Sequence, residues 1–290
     1  MIVATFDEGP GAGLGHRRRV ECLERELAAA GLGCDVRALG DGRVEADVVL
    51  VDSYRVRADD PMRVRASIVI AIDDIDRDLA VDLVVDPRPG ASARSHARAR
   101  RALAGASYAL VDARLRALPA PRPRETVETV LVATGATDVQ GLGAAVASEL
   151  ARALPDTTVR LVVGAWGRGS DDPLVEMISA PESLGPQLVA ADLVVTASGV
   201  TMLESCCLGR PTVAFSIADN QSAPLAGAAA AGAVLAADRA TAAGLAARLA
   251  HDHDARVRLS ASARALIDGR GARRVASAVE SLLRQHSHAS

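Results

Sequence analysis

The chain has 290 residues with a formal net charge of −3 at pH 7, and 49% of them are hydrophobic but only 2% aromatic. This length favours two domains, whose cores must be built from Ala, Val and Leu. The acidic balance and the scarcity of stacking side chains argue against nucleic-acid binding. No apolar run approaches the ~20 residues of a membrane span, the amino terminus turns acidic too early for a signal peptide, and the four cysteines fit neither a metal site nor a disulfide framework. We expect a cytoplasmic protein.

Short β-branched runs alternate with longer stretches rich in Ala, Leu and Arg, which is typical of an α/β protein with parallel sheets. In the first half, Leu23 and Leu27 at helical spacing predict a helix over about 16–30, which Gly31 and Gly33 end. The predicted strands of this half are 2–6, 34–39, 48–51, 68–72 and 83–85.

Residues 118–124 contain three prolines, which continue neither a helix nor a sheet ladder. They predict a stiff connector between domains at 1–120 and 125–290, with a surface loop inside one domain as the alternative. The second half predicts strands at 129–133, 159–163, 193–196 and 212–216, a turn at 134–140, helices at 141–153, 200–208 and about 222–231, and a final helical region over 239–285. Two Rossmann-like halves would place a ligand cleft between them, at the carboxyl ends of both sheets.

The first predicted strand leads into a glycine-rich turn that ends in Gly13, Gly15 and His16. These glycines let backbone approach a ligand closely, but their spacing does not fit the dinucleotide fingerprint and disfavours an NAD site. At a helix start His16 would be kept neutral, as a general base must be. A capping or packing histidine is the alternative.

Polar residues follow several other predicted strands. Tyr54 closes the group Asp52-Ser53-Tyr54 after strand 48–51, and its phenol can hydrogen-bond a substrate. Asp73 and Asp74 follow strand 68–72, where a paired carboxylate more often caps a turn than binds metal. The remaining groups are Gly135-Ala136-Thr137-Asp138 and Asp219-Asn220-Gln221. Their shared position at carboxyl ends of strands predicts one binding region.

The segment 192–221 predicts a strand, a Ser198-Gly199 turn, a helix carrying Thr201 and Glu204, and a second strand. The free backbone N–H groups at the helix start can hold phosphates, and the Glu204 carboxylate can accept hydrogen bonds from a ribose diol. This pattern indicates nucleotide binding, with plain scaffold as the alternative.

Seven short blocks, in order over about residues 1–235, resemble the UDP-sugar hydrolase family of the pseudaminic-acid pathway and its spore-coat polysaccharide relatives. They are Gly13-Leu14-Gly15-His16 with Arg19, Val51-Asp52-Ser53-Tyr54, Ile72-Asp73-Asp74, Ser107-Tyr108-Ala109-Leu110, Gly135-Ala136-Thr137-Asp138, Ala197-Ser198-Gly199 with Glu204, and Asp219-Asn220-Gln221. That family removes UDP from UDP-2,4-diacetamido-2,4,6-trideoxy-β-L-altropyranose and belongs to the GT-B superfamily.

The resemblance implies an α/β GT-B fold with two Rossmann-like domains whose parallel sheets face an interdomain cleft. It makes His16 the base that activates water, with Tyr54 holding the substrate or the water. The implied nucleotide-binding residues are Gly135, Thr137, Ser198, Gly199, Thr201 and Glu204. The implied substrate-binding residues are Gly13, Gly15, Arg19, Asp73, Asn220 and Gln221. The family implies a nucleotide-sugar substrate and neither a metal nor another cofactor.

The same residues also suit a GT-B glycosyltransferase, in which His16 deprotonates an acceptor alcohol instead of water. Such an enzyme could serve secondary metabolism. A catalytically inert nucleotide-sugar binding protein is a third hypothesis, and His16 argues against it. The sequence leaves open the sugar, the nucleotide base, the oligomeric state and whether the last helices pack on the first domain.

Overall fold

The computed structural model of the chain describes residues 1–9, 11–138, 140–179 and 181–289. The chain forms two compact units, one of Met1–Ala113 with Gly269–Ser290 and the other of Arg114–Asp268. Residues 10 and 139, which belong to the two predicted glycine-rich turns, lie outside the described residues. Each unit contains one six-stranded sheet, and each is considered by itself below.

The strands are β1 (Ile2–Phe6), β2 (Cys34–Ala38), β3 (Val44–Glu45), β4 (Val48–Asp52), β5 (Val64–Arg65), β6 (Ile68–Ile72), β7 (Leu83–Asp86), β8 (Ala102–Ala104), β9 (Thr129–Ala133), β10 (Thr158–Val163), β11 (Val175–Ser179), β12 (Leu193–Ala197), β13 (Thr212–Phe215) and β14 (Leu235–Ala237). The α-helices are α1 (Gly15–Ala29), α2 (Leu142–Ala153), α3 (Gly185–Ala190), α4 (Val200–Cys207), α5 (Ser222–Ala230), α6 (Ala242–Ala250), α7 (His253–Leu266) and α8 (Gly271–Ala289).

The sheet of the first unit has the strand order β2-β1-β4-β6-β7-β8, and its pairs are parallel. The chain order reverses at β1, whose neighbours are β2 on one side and β4 on the other. Phe6 at the end of β1 lies opposite Asp52 at the end of β4. The loops that follow these two strands therefore leave the sheet side by side, which is the topological switch point where ligands bind in open α/β sheets.

Helices α1 and α8 pack against each other in this unit and share one core with strand residues such as Leu50 and Ile70. Val20, Leu23 and Leu27 on α1 are buried there at helical spacing. The question that the sequence left open for the last helix is thereby answered, since α8 packs on the first unit. The core holds α1 in a fixed position on the sheet, and the amino-terminal turn of α1 with it.

The sheet of the second unit has the order β11-β10-β9-β12-β13-β14, again with parallel pairs. Its switch point lies between β9 and β12, where Ala133 pairs with Thr196. The core of valine and leucine between the sheet and helices α2 and α6 contains Val130, Val195 and Phe215. The loops after β9 and β12 are thus neighbours, as are those after β1 and β4 in the other unit.

The α/β class, the parallel sheets and the two Rossmann-like halves are confirmed. The predicted strands and most helices match the observed ones to within about two residues. The sequence did not predict β3, β5, β8, β11, β14 and α3, and the predicted helical region over 239–285 forms three helices. Most of these elements are two to six residues long, and β8 and β14 read Ala-Leu-Ala and Leu-Ala-Ala, which carry no β-branched signal. No helix of the described residues combines the length and apolarity needed to cross a membrane.

The proline-rich segment 118–124 lies in the second unit and is held there by three arginines. Arg210 donates to the Pro121 carbonyl, Arg264 to the carbonyls of Ala120 and Pro121, and Arg256 to those of Arg124 and Glu125. Burial lowers the pKa of Arg210 to about 10. The arginines hydrogen-bond carbonyl oxygens of this segment, which forms no regular secondary structure, so it is anchored on the second unit.

Candidate functional site

Four neighbouring strands of the first unit each end in a buried aspartate at the carboxyl edge of the sheet. Each of these carboxylates is paired with an arginine that lies near it in sequence or on the adjoining element. The pairs are Asp7 with Arg55, Asp52 with Arg19, Asp73 with Arg77, and Asp86 with Arg88. The four Asp–Arg pairs differ in the other side chains and backbone groups that they contact.

The Asp52–Arg19 pair contacts His16, the second residue of α1. Nδ1 of His16 lies 2.5 Å from Oδ1 of Asp52, and both side chains are buried. A carboxylate at Nδ1 keeps the proton on that nitrogen, so Nε2 presents a lone pair. Nη2 of Arg19 also lies 3.0 Å from Nδ1, so both of these polar contacts of the ring are made at Nδ1. The sequence placed His16 at the helix start, and the structure adds the carboxylate that fixes its tautomer.

Arg19 connects Asp52 to a second carboxylate. Its Nε and Nη2 lie 2.8 and 2.7 Å from the two oxygens of Asp52, and its Nη1 donates to Asp74. Burial opposes the charged form of Arg19, but the two carboxylates raise its pKa well above the ordinary value. Burial likewise acts to raise the pKa of Asp74, but Arg19 and a hydrogen bond from Tyr54 outweigh it and lower that pKa. The group is an ionic network with one buried cation between a buried anion and a partly buried one.

Tyr54 completes this network beside His16. The two ring centroids lie 4.4 Å apart at an interplanar angle of 78°, an edge-to-face contact. Asp7 holds the loop of Tyr54 in place, since its carboxylate accepts from the Tyr54 amide at 2.8 Å and from the Ser53 hydroxyl at 2.9 Å. These bonds and Arg55 lower the pKa of Asp7 although burial opposes them. His16, Tyr54 and Arg19, three of the predicted site residues, are therefore in one cluster.

Asp73, the substrate-binding aspartate implied by the resemblance, makes different contacts. Its two oxygens accept from Nε of Arg77 at 2.5 Å and from the Arg77 amide at 2.9 Å, and it is fully buried. Successive residues at a strand end point to opposite faces of the sheet. Asp74, one residue further on, is consequently the one that meets Arg19 and Tyr54.

A second buried Asp–His pair lies two strands away, at the end of β7. Nε2 of His96 is 3.1 Å from Oδ2 of Asp86, whose oxygens also accept from Arg88. The hydrogen bond to Asp86 raises the pKa of His96 although burial opposes it. Among the described residues, Asp76, Asp86 and His96 form the one group of three whose ligand atoms lie within 4.8 Å of one another. The Arg88 guanidinium pairs with both carboxylates and supplies the local cation.

The glycines of the first loop have a purely backbone role. Gly13 has a φ of +72°, and its amide donates to the Gly9 carbonyl in a turn that delivers the chain to α1. Gly15 is the first residue of α1, directly before His16. A side chain at Gly13 would be strained in this left-handed conformation.

In the second unit, the loops after β12 and β13 meet. The Ser198 hydroxyl donates to the Gln221 carbonyl at 2.7 Å, and Oε1 of Gln221 accepts from the Ile217 amide. Nε2 of Gln221 lies 3.9 Å from the position that a Cβ on Gly199 would take. Asn220 lies between Asp219 and Gln221 in a short 3-10 helix. Ser198, Gly199, Asn220 and Gln221 thus share one edge of the sheet.

Helix α4 begins directly after Gly199 and carries Thr201 and Glu204, both largely buried. No side chain caps its first turn, so the orphan N–H groups there can bind an anion. The loop after β9, with Gly135 and Thr137, lies beside this turn across the switch point. Gly135 has a φ of +103° and empty space where a Cβ would stand. The predicted nucleotide residues therefore surround one switch point.

Asp138 gives the loop after β9 its shape. Its oxygens accept from the amides of Leu142 and Gly143 at 2.8 and 2.6 Å and from the Thr134 hydroxyl at 2.8 Å. The carboxylate thus binds the first amides of α2 and closes the loop over Gly135 and Thr137. The sequence pattern included Asp138 in the Gly135-Ala136-Thr137-Asp138 group but did not predict this structural role.

No protein-family model and no curated protein sequence matches the chain. Solved structures do match over nearly its whole length. The glycotransferase of kitacinnamycin has a TM-score of 0.63 at 16% identity, covering 97% of this chain and 98% of that chain. The spinosyn forosaminyltransferase has a TM-score of 0.63 at 16% identity, with coverages of 98% and 99%. The UDP-GlcNAc 2-epimerase from Neisseria meningitidis, bound to UDP-GlcNAc, has a TM-score of 0.64 at 13% identity, with coverages of 98% and 99%. At these identities the likeness establishes the fold, and the chain has the GT-B fold.

Proposed function

We propose that the chain is an enzyme that acts on a nucleotide-activated sugar, with UDP as the nucleotide. In this proposal the first unit supplies the base and contacts the sugar, and the second unit binds the nucleotide. The observation that carries it is the His16–Asp52 pair. Nδ1 of His16 lies 2.5 Å from Oδ1 of Asp52, and because the ring proton is on Nδ1, Nε2 can accept a proton from the nucleophile.

The chemical step follows from this arrangement. Nε2 of His16 takes a proton from a hydroxyl as the hydroxyl oxygen bonds to the anomeric carbon of the sugar. The bond from that carbon to the diphosphate oxygen breaks, and the nucleoside diphosphate leaves with the electron pair. Attack opposite to the leaving group inverts the anomeric configuration. Asp52 orients the ring and stabilises the imidazolium that forms, and Arg19 fixes Asp52.

The second unit fits the leaving group. The uncapped start of α4 offers N–H groups to the diphosphate, and Glu204 on the same helix offers a carboxylate to the ribose diol. UDP is the nucleotide named for two solved structures of this fold, the UDP complex of MnaA from S. aureus and the epimerase bound to UDP-GlcNAc.

With water as the nucleophile the enzyme is a hydrolase, and this is the function favoured by the seven blocks of residues that resemble the UDP-sugar hydrolases. The sugar is then a UDP-linked diamino sugar of the kind handled in pseudaminic acid biosynthesis. With an acceptor alcohol the enzyme is a glycosyltransferase. The second candidate is supported by the full-length likeness to the glycotransferase of kitacinnamycin and the spinosyn forosaminyltransferase.

The experiment that tests the proposal follows the products of a panel of UDP-, CMP-, GDP- and TDP-sugars by mass spectrometry, with and without EDTA. We expect release of UDP that EDTA does not change, because the proposed step uses residues of the chain alone. Free sugar without added alcohol identifies the hydrolase, and turnover that requires an alcohol identifies the transferase. If no donor releases nucleotide under either condition, the proposal is wrong.

A further inference from the structure

We propose that the base of the bound nucleotide stacks on Trp166, a residue with no role in the site described above. This inference rests on the proposed nucleotide-sugar function. Trp166 is the one tryptophan of the 290-residue chain. It is half-buried in the loop that follows β10, at the carboxyl edge of the second sheet.

The loop of Trp166 is held tightly against the loop of Gly135. The Trp166 amide donates to the Ala136 carbonyl at 2.9 Å, and the Arg168 amide donates to the Asp138 carbonyl at 3.0 Å. Gly164 makes this approach possible, since a Cβ there would stand 2.4 Å from Cα of Ala136. The position of the Trp166 backbone relative to the switch point is therefore fixed by hydrogen bonds and by close contact.

The order of the strands places Trp166 at a distance from the proposed diphosphate site that a nucleoside can span. Along the carboxyl edge, the loops after β10, β9, β12 and β13 carry Trp166, Gly135, Ser198 and Gln221 in that order. From the end of β12 to the end of β10 is two strand spacings, or about 10 Å. A nucleoside whose diphosphate sits at the start of α4 can reach over Gly135, where no side chain fills the space.

The composition of the second unit leaves Trp166 as the aromatic side chain for this role. The chain has five aromatic residues, and the unit Arg114–Asp268 contains two of them, Trp166 and Phe215. Phe215 is fully buried in the core of the sheet. Stacking on an aromatic face is the sequence-tolerant way in which proteins hold a base, so Trp166 provides affinity for the base without choosing among bases.

Because the chain has a single tryptophan, its fluorescence reports on this position alone. We expect UDP to quench the tryptophan emission of the wild-type protein, with the Kd that calorimetry gives, and inorganic pyrophosphate to bind without quenching. W166A should weaken UDP binding about 5- to 150-fold, as expected for the loss of one base stack. Pyrophosphate affinity should stay unchanged, and TDP should lose as much as UDP.

Two further variants separate stacking from bulk. W166F keeps an aromatic face and should retain most of the affinity, whereas W166L fills similar space without one and should behave as W166A does. Equal UDP affinity of W166A and wild type would overturn the assignment while leaving the proposed function standing. Quenching by a UDP-sugar but not by UDP would also overturn it, since the sugar would then be the stacked group. A wild-type protein that binds no nucleotide would refute both proposals.

Discussion

Replacing Asp52 by asparagine tests how the site works, because it changes one oxygen and keeps the shape. Asp52 now accepts from Nδ1 of His16 at 2.5 Å and from two nitrogens of Arg19 at 2.7 and 2.8 Å. Asparagine has no negative charge to stabilise the imidazolium and only one carbonyl oxygen. When that oxygen takes the place of Oδ2, it accepts from Nε of Arg19. The amide NH₂ then faces Nδ1 of His16 and moves the ring proton to Nε2.

A proton on Nε2 blocks the atom that must act as the base. We therefore expect D52N to lower kcat about 10²- to 10⁴-fold, the usual contribution of general base catalysis. This corresponds to about 3–5 kcal/mol of transition-state stabilisation. KM should change little, because the proposed nucleotide contacts lie on α4. One Arg19 donor loses its partner in the interior, which should cost about 1–3 kcal/mol of stability.

The chain supplies a matched control in Asp86, which is also buried between a histidine and an arginine. D86N should lose comparable stability but keep kcat, since His96 has no role in the reaction. The assay is nucleotide release at saturating donor, with the free energy of unfolding from urea denaturation measured for each variant. A folded D52N protein that retains the wild-type kcat would refute the reasoning, as would an equal loss of activity in D86N.

Three further predictions concern other parts of the molecule. Glu204→Ala should raise KM for the nucleotide sugar with little change in kcat, and unchanged kinetics would remove the ribose from α4. Arg19→Met should cost about 3–5 kcal/mol in urea denaturation, because the buried Asp52 and the partly buried Asp74 lose their cation. Arg55→Met, at a side chain 60% exposed, should cost about 1 kcal/mol or less, and equal losses would contradict this difference. The pKa of His96 is raised above its unfolded value of 6.5. Its contribution to the free energy of unfolding is therefore complete below about pH 6.5 and is lost as the pH rises through the folded pKa. His96→Gln should flatten the dependence of the free energy of unfolding on pH in this range, and an unchanged slope would contradict the assignment.

The sequence predicted the parts of the site that local pattern controls. His16 after a glycine-rich turn and Glu204 on a helix that follows Ser198-Gly199 are both readable from neighbouring residues. Asp52 is 36 residues from His16, and their contact depends on the pairing of β1 with β4 in a register that puts Phe6 opposite Asp52. No local pattern specifies which strand adds beside β1, so the partner of His16 could not be predicted.

Asp73 and Asp74 show a second reason why contacts in the site could not be predicted from the sequence. The side chains of a strand alternate between the two faces, so a change of one residue in register exchanges them. The sequence placed both at a strand end, but only the observed contacts show that Asp73 meets Arg77 and Asp74 meets Arg19. Trp166 was missed because its neighbour β11 carries the run Val-Glu-Met-Ile-Ser, which gives only a weak strand signal. Because β11 was not predicted, the sequence did not indicate where the loop after β10 ends.

The most direct test of the central claim compares wild type with His16→Ala in water labelled with ¹⁸O, using the donor found in the panel. We expect the wild-type protein to release UDP and free sugar with one labelled oxygen at an inverted anomeric carbon, or inverted glycoside when an alcohol is the required acceptor. His16→Ala should lose kcat about 10²- to 10⁴-fold while its Kd for UDP, measured by calorimetry, stays unchanged. Wild-type turnover in the His16→Ala protein would contradict the claim that this histidine is the base.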